Sequence, residues 1–184
     1  MTKLVSNNII NNANGSKGEQ KRGKSMYIRT VAFFGHRRVE DYFEIRKQVE
    51  ETVRTIMNDR VYTEFLVGRN GEFDELAASV VREVREDIGE ELCSLVLVLP
   101  YVSNKNEDYW KQIQTFYDEI EICDKSVRAH YKSAFRIRNR NMIDRADKII
   151  FYVKRQNGGA YEAMKYAEKA GKEIIRLNNS AERI

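Results

Sequence analysis

The stretch KIIFYVKRQNGGAYEAMKYAEKAGKEII, residues 148–175, decides the fold. An apolar run over 148–153 breaks off at a charged turn, and two adjacent glycines, Gly158 and Gly159, follow. Residues 160–170 then repeat apolar positions at helical spacing as far as Gly171, which is placed to cap the helix, and a second apolar run fills 173–177. The order is strand, helix, strand, and the paired glycines sit where the first strand hands over to the helix.

Outward from this unit the alternation continues. Residues 27–34 (YIRTVAFF) read as a strand, and Tyr42, Ile45, Val49, Val53 and Ile56 form the stripe of an amphipathic helix. Residues 61–67 (VYTEFLV) are the next strand; the helix after it carries Phe73, Leu76, Ala77, Val80, Val84 and Ile88 and ends at Gly89. Residues 93–99 (CSLVLVL) are almost continuously apolar, as a central parallel strand covered on both faces should be, and Pro100 stops the run. Between 107 and 122, Tyr109, Ile113, Phe116 and Tyr117 fit a helix, and DEIEIC adds a short strand or edge. A helix over 131–146 completes the series. Strands alternating with helices of this length imply right-handed crossovers. The expected fold is α/β and Rossmann-like: a doubly wound, mainly parallel sheet with helices on both faces.

The chain of 184 residues has the length of one domain. Its net charge of +4 belongs to the start: residues 1–25 hold Lys3, Lys17, Lys21, Arg22 and Lys24 against Glu19 alone, so the rest is formally neutral. That segment is rich in Asn, Gly, Ser and Lys, and is expected to be a disordered basic tail before a single domain over 26–184. Formal neutrality of the domain argues against nucleic acid as a partner. Cys93 and Cys123 match no zinc or CxxC spacing and read as small buried apolar residues of a cytoplasmic protein. No apolar run approaches the ~20 residues of a membrane helix. Neither a metal nor a cofactor is implied, and GxGxxG and P-loop motifs are both missing. Tyr109, Trp110 and Tyr117, taken as exposed aromatics, suggest a homo-oligomer.

In a parallel sheet every strand ends on the same edge, so the loops leaving the strands gather at one crevice. Those loops here are FFGHRRVED (33–41), VGRNGEFDE (67–75) and NGGAYEA (157–163). Gly158 and Gly159 either turn the chain or let an anion approach the unpaired N–H groups of the following helix. Three glycine-bearing loops at one edge favour the second reading. His36 reads as a ligand contact or a polar strand end, Arg37 and Arg38 as a phosphate clamp or a solvated pair. Asp74 is either a helix-stabilising acid or an acceptor for ribose hydroxyls, and Asn70 reads as an N-cap. In FRIRNRNMIDRADKIIF (135–151), Arg138, Asn141, Met142 and Arg145 share a helix face, which spacing alone reads as exposed, with Asp144 and Asp147 as partial counter-charges.

As an ordered set, FFGHR, VGRNGEFDELA and RNRNMIDRADKIIFYVKRQNGGAYEAMKYAEKAGKEIIRL resemble the SMF/DprA and LOG superfamily of Rossmann-like proteins, SLOG. The likeness is greatest to its YpsA/YoqJ-type branch of Gram-positive bacteria and their prophages, and spans about residues 26–177. It implies a nucleotide or nucleotide-derived ligand at the C-terminal edge of the sheet. The phosphate would rest at Gly158 and Gly159 with Arg138 and Arg37 as charge partners, and Gly35, His36, Gly68, Gly71 and Asp74 would shape the ribose and base side. The LOG branch is similar to phosphoribohydrolases of nucleoside monophosphates, whose arginine, methionine and aspartate fall on Arg138, Met142 and Asp147. Their PGGxGTxxE motif is altered here: the proline, the later glycine and the threonine are missing, and Glu162 stands at a different offset. Binding, with a sensing role, is therefore the leading expectation. Hydrolysis of a nucleotide N-glycosidic bond, with Glu162 and Arg138 as catalytic groups, is the alternative, and DprA-like single-stranded DNA binding is a second one.

Overall fold

The structure, a computed structural model, describes residues 27–177. The basic tail expected over 1–25 lies outside them. Six strands, β1 (Arg29–Gly35), β2 (Thr63–Val67), β3 (Cys93–Leu99), β4 (Glu119–Ile122), β5 (Lys148–Tyr152) and β6 (Glu173–Arg176), form one sheet in the order β4-β3-β2-β1-β5-β6. Every pairing is parallel. The helices are α1 (Tyr42–Met57), α2 (Glu72–Ile88), α3 (Glu107–Phe116), the short α4 (Asp124–Val127), α5 (Tyr131–Arg145) and α6 (Gly158–Lys169). The doubly wound α/β fold is as expected. DEIEIC resolves into the edge strand β4, in register with Val96 to Leu99 of β3.

Alternation along the strands sorts the core into two layers. Val31, Phe33, Phe65, Val67, Leu95 and Leu97 point to the face covered by α1, α2 and α3. Ala32, Phe34, Leu66, Val96, Val98 and Phe151 point to the other, where α5 and α6 supply Met142, Ile143, Ala163 and Ala167. Both cysteines are free and buried, and burial pushes the Cys93 thiol up to about 11, which makes it an inert packing group. Tyr117 is also core, 4 % exposed, Tyr109 of α3 packs against that core, and Trp110 is half-buried beside Tyr109, so these are not the exposed aromatics expected to mark an oligomer surface. The edges of the sheet carry charge: Glu119 and Glu121 on β4, Glu173 and Arg176 on β6. No helix among the described residues is long and apolar enough to cross a membrane.

One glycine sets how closely α2 approaches the sheet. A Cβ on Gly35 would lie 2.3 Å from the ring of Phe73, which is fully buried and stacked on Tyr152 at 5.6 Å. Gly35→Ala is therefore expected to destabilise the protein by about 1–3 kcal/mol in urea unfolding, the usual cost of overpacking a core. Gly159→Ala, where an added Cβ meets nothing within 4 Å, should stay within about 0.5 kcal/mol of wild type.

Candidate functional site

The strand order reverses between β1 and β5, and the chain leaves these two strands for opposite faces of the sheet. Such a switch point leaves a crevice outside the strand ends. A cleft of about 820 Å³ opens there. Gly35, His36, Arg37 and Arg38 line it from the loop after β1, Asp74 from α2 and Arg138 from α5. Lys154, Arg155, Gly158 and Gly159 line it from the turn between β5 and α6.

The three loops are laced together. His36 Nε2 accepts hydrogen bonds from the backbone N–H groups of Lys154 (2.9 Å) and Arg155 (3.0 Å). The Tyr152 hydroxyl donates to the Glu40 carbonyl and accepts from the Glu40 N–H. Glu72 N–H donates to the Arg37 carbonyl, and Val39 N–H donates to the Glu72 carboxylate. A Cβ on Gly71 would sit 2.4 Å from Arg37 Cα, so the loop after β2 touches the loop after β1 backbone to backbone. His36 is thus the latch between two loops rather than a free donor.

Arg138 departs most from its spacing-based reading. It is 3 % exposed, while Arg136 and Arg140 on the same helix are exposed. Gly68 makes this possible: a Cβ there would fall 2.4 Å from Arg138 Nη1 and 2.8 Å from Asp74 Oδ2. Burial lowers the Arg138 pKa, with Asp74 opposing that shift; burial raises the Asp74 carboxyl, with Arg138 and the Asn70 N–H opposing it. Asp74 also accepts the Asn70 N–H at 2.8 Å, and Nη1 of Arg138 reaches Met142 Sδ at 3.5 Å. The Asn70 amide satisfies its neighbours with its oxygen toward Arg138 Nη2, at 2.6 Å, so Asn70 is a contact of Arg138, and Gly71 is the N-cap. Arg138 Nε has no hydrogen-bond partner.

The start of α6 is open. Gly158 has φ +84°, an added Cβ at either glycine meets nothing within 4 Å, and Asn157 at the N-cap makes no side-chain cap. Unpaired N–H groups and the positive end of the helix dipole therefore face the cleft. Arg37 and Arg38 are exposed and unpaired with carboxylates among the described residues, whereas Lys154 and Arg155 are engaged by Glu40. The cleft thus has cations on two sides and main-chain donors on a third.

Gly35, His36, Arg37, Asp74, Arg138, Gly158 and Gly159 meet in the cleft; Gly68 and Gly71 stand behind it as packing positions. Glu162 lies elsewhere, in the groove between α5 and α6. Asp147 is at the opposite end of the sheet, accepting the Thr30 N–H at 2.8 Å. Sequence reasoning missed Tyr131, Phe135, Lys154 and Arg155. Tyr131, Phe135 and Arg138 follow one another at i, i+4 and i+7, a stripe that was legible once Arg138 was set inward. Lys154 and Arg155 follow β5 after Val153, in a loop that the strand-end rule already pointed to.

No protein-family model matches the chain, and no curated protein matches it. Solved structures do. DNA processing protein A (DprA) from Streptococcus pneumoniae superposes with a TM-score of 0.62 at 15% identity, over 85% of this chain and 52% of that one. DprA from Helicobacter pylori, in a structure addressing its single-stranded DNA binding mode, superposes with a TM-score of 0.58 at 17% identity, over 84% of this chain and 67% of that one. This chain thus spans about half the length of the first and two-thirds of the second, and shares with them the expected Rossmann-like fold. The expectation that nucleic acid is not a partner is overturned by these neighbours. Its error was to read formal charge over the whole domain, because cations gathered at one edge act locally whatever the total.

The latch gives a pH prediction. Burial, then Arg155, lower the His36 pKa below its ordinary 6.5, with Glu40 opposing. The stability from the neutral imidazole is present above about pH 6.5 and is lost as pH falls through the lower folded value. Melting temperature should therefore decline below about pH 6.5, and His36→Gln, which keeps an acceptor but does not titrate there, should flatten that decline.

Proposed function

We propose that the cleft binds the phosphate-bearing part of a nucleotide, free or within a single strand of nucleic acid. The observation that carries this reading is the conjunction of the uncapped start of α6 with the buried Arg138, whose Nε is without a partner. A phosphate at Gly158 and Gly159 would receive main-chain N–H donors, and Arg37 and Arg38 would add flexible charge. Asp74, held by Asn70 and Arg138, is the acceptor for ribose hydroxyls on the other wall. Placement in the YpsA/YoqJ-type branch rests on the ordered glycine loops and Arg138, and a cytoplasmic setting fits the two free cysteines.

Single-stranded DNA binding is supported by the fold shared with the Helicobacter pylori DprA structure. The hydrolase reading has less support, because Glu162 stands in the neighbouring groove and the cleft's carboxylates are Asp74 and the ion-paired Glu40.

Nucleoside monophosphates and short oligothymidylates are expected to raise the melting temperature, while the matching nucleosides leave it unchanged, since a ligand that binds only the folded state stabilises it. Arg37→Ala with Arg38→Ala should weaken binding about tenfold or more without lowering the melting temperature of the free protein, because both side chains are exposed. Equal shifts from nucleoside and nucleotide, or none from any of them, would refute the reading.

A further inference from the structure

The cleft does not end at Gly159. Phe135, Asn139 and Gly159 line both it and a second depression, about 880 Å³, that runs between α5 and α6 away from the sheet edge. The groove is strongly biased in charge, with Arg136, Arg140, Lys165 and Lys169 against the single carboxylate of Glu162. Among the described residues Arg136 and Lys169 pair with no carboxylate, while Lys165 is 3.0 Å from Glu168. Three rings, Phe135, Tyr161 and Tyr166, alternate with these cations, and the Arg140 guanidinium lies over Tyr166 at 4.9 Å from the ring centre.

This face also explains why α5 lacks a conventional apolar stripe. Its sheet-facing side is a narrow seam of Ala134, Arg138, Met142 and Ile143, and its outer side gives arginines to the groove. Aromatic surfaces interleaved with cations along a continuous track match a flexible polyanion with a flat, stackable group on each unit. A mononucleotide seated at the start of α6 fills only the first opening. The groove continues for the length of α6, about 18 Å at 1.5 Å per residue.

From this geometry we infer that the α5–α6 groove is an extension subsite for a single-stranded polynucleotide. One nucleotide's phosphate sits at Gly158 and Gly159, and the following nucleotides pass over the shared rim at Phe135 onto Arg136, Tyr161 and Lys169. This rests on the nucleotide reading of the cleft and adds to it a second subsite and a direction of travel.

The test is fluorescence anisotropy on the full chain with labelled oligothymidylates of increasing length, beside thermal shift with thymidine monophosphate. Wild type should gain affinity with length. The double variant Arg136→Ala, Lys169→Ala should lose about tenfold for an eight-nucleotide probe, with a salt slope shallower by about 1.4, since each phosphate contact on a single strand contributes about 0.7. Monophosphate binding should change less than twofold. Tyr161→Ala should cost a further five-fold or more through lost stacking. If oligothymidylates bind and the groove variants match wild type, the inference is overturned while the cleft reading stands, and the gain with length belongs to another surface such as the basic tail. If neither the monophosphate nor any oligothymidylate binds, both are overturned.

Discussion

Parallel pairing of β1 with β5 is the constraint on which the molecule turns. Because the chain departs from these adjacent strands toward opposite faces, no connecting helix can cover the gap at their carboxyl ends. Main-chain hydrogen bonding and two layers of apolar burial hold the strands, so the gap persists as a consequence of a stable sheet rather than of a specialised loop. Function then depends on what the sequence places around an opening that the topology already guarantees.

Glycine serves two purposes around that opening. At Gly35, Gly68 and Gly71 the missing Cβ is replaced by protein: the Phe73 ring, the Arg138 and Asp74 side chains, and the Arg37 backbone. At Gly158 and Gly159 nothing takes its place. The first group draws the β1 and β2 loops and α5 into one rim, and the second leaves the main-chain donors at the start of α6 uncovered. His36 and Tyr152 complete the rim by tying the β1 loop to the β5 turn. The loops are therefore already tied to one another, so a ligand that met this rim would not have to order them.

Most of the fold was legible because burial leaves a periodic mark. CSLVLVL can only be an interior strand, and the stripes of α1 and α2 name their inner faces residue by residue. The short β4 was ambiguous because four residues carry too little pattern to separate an edge strand from a helix end. The site was half legible. Strand-to-helix loops could be picked out by glycine, but not which glycines face protein and which face solvent, since that depends on neighbours distant in sequence. Arg138 shows the limit most clearly: a guanidinium at that spacing belongs on the surface unless a glycine seventy positions earlier makes room and an aspartate waits beside it. Net charge misled for a similar reason, since a sum over residues carries no position.

Acidic and basic groups along β4 and β6 have a consequence for how the sheet behaves in company. Outer strands present unpaired main-chain groups that invite another chain to extend the ladder, and along β4 the carboxylates of Glu119 and Glu121 would repel an acidic newcomer, a second β4 included. A passing acidic peptide or a neighbouring copy finds no easy template on the β4 side, so growth of the β-layer is discouraged at that edge even when the protein is crowded.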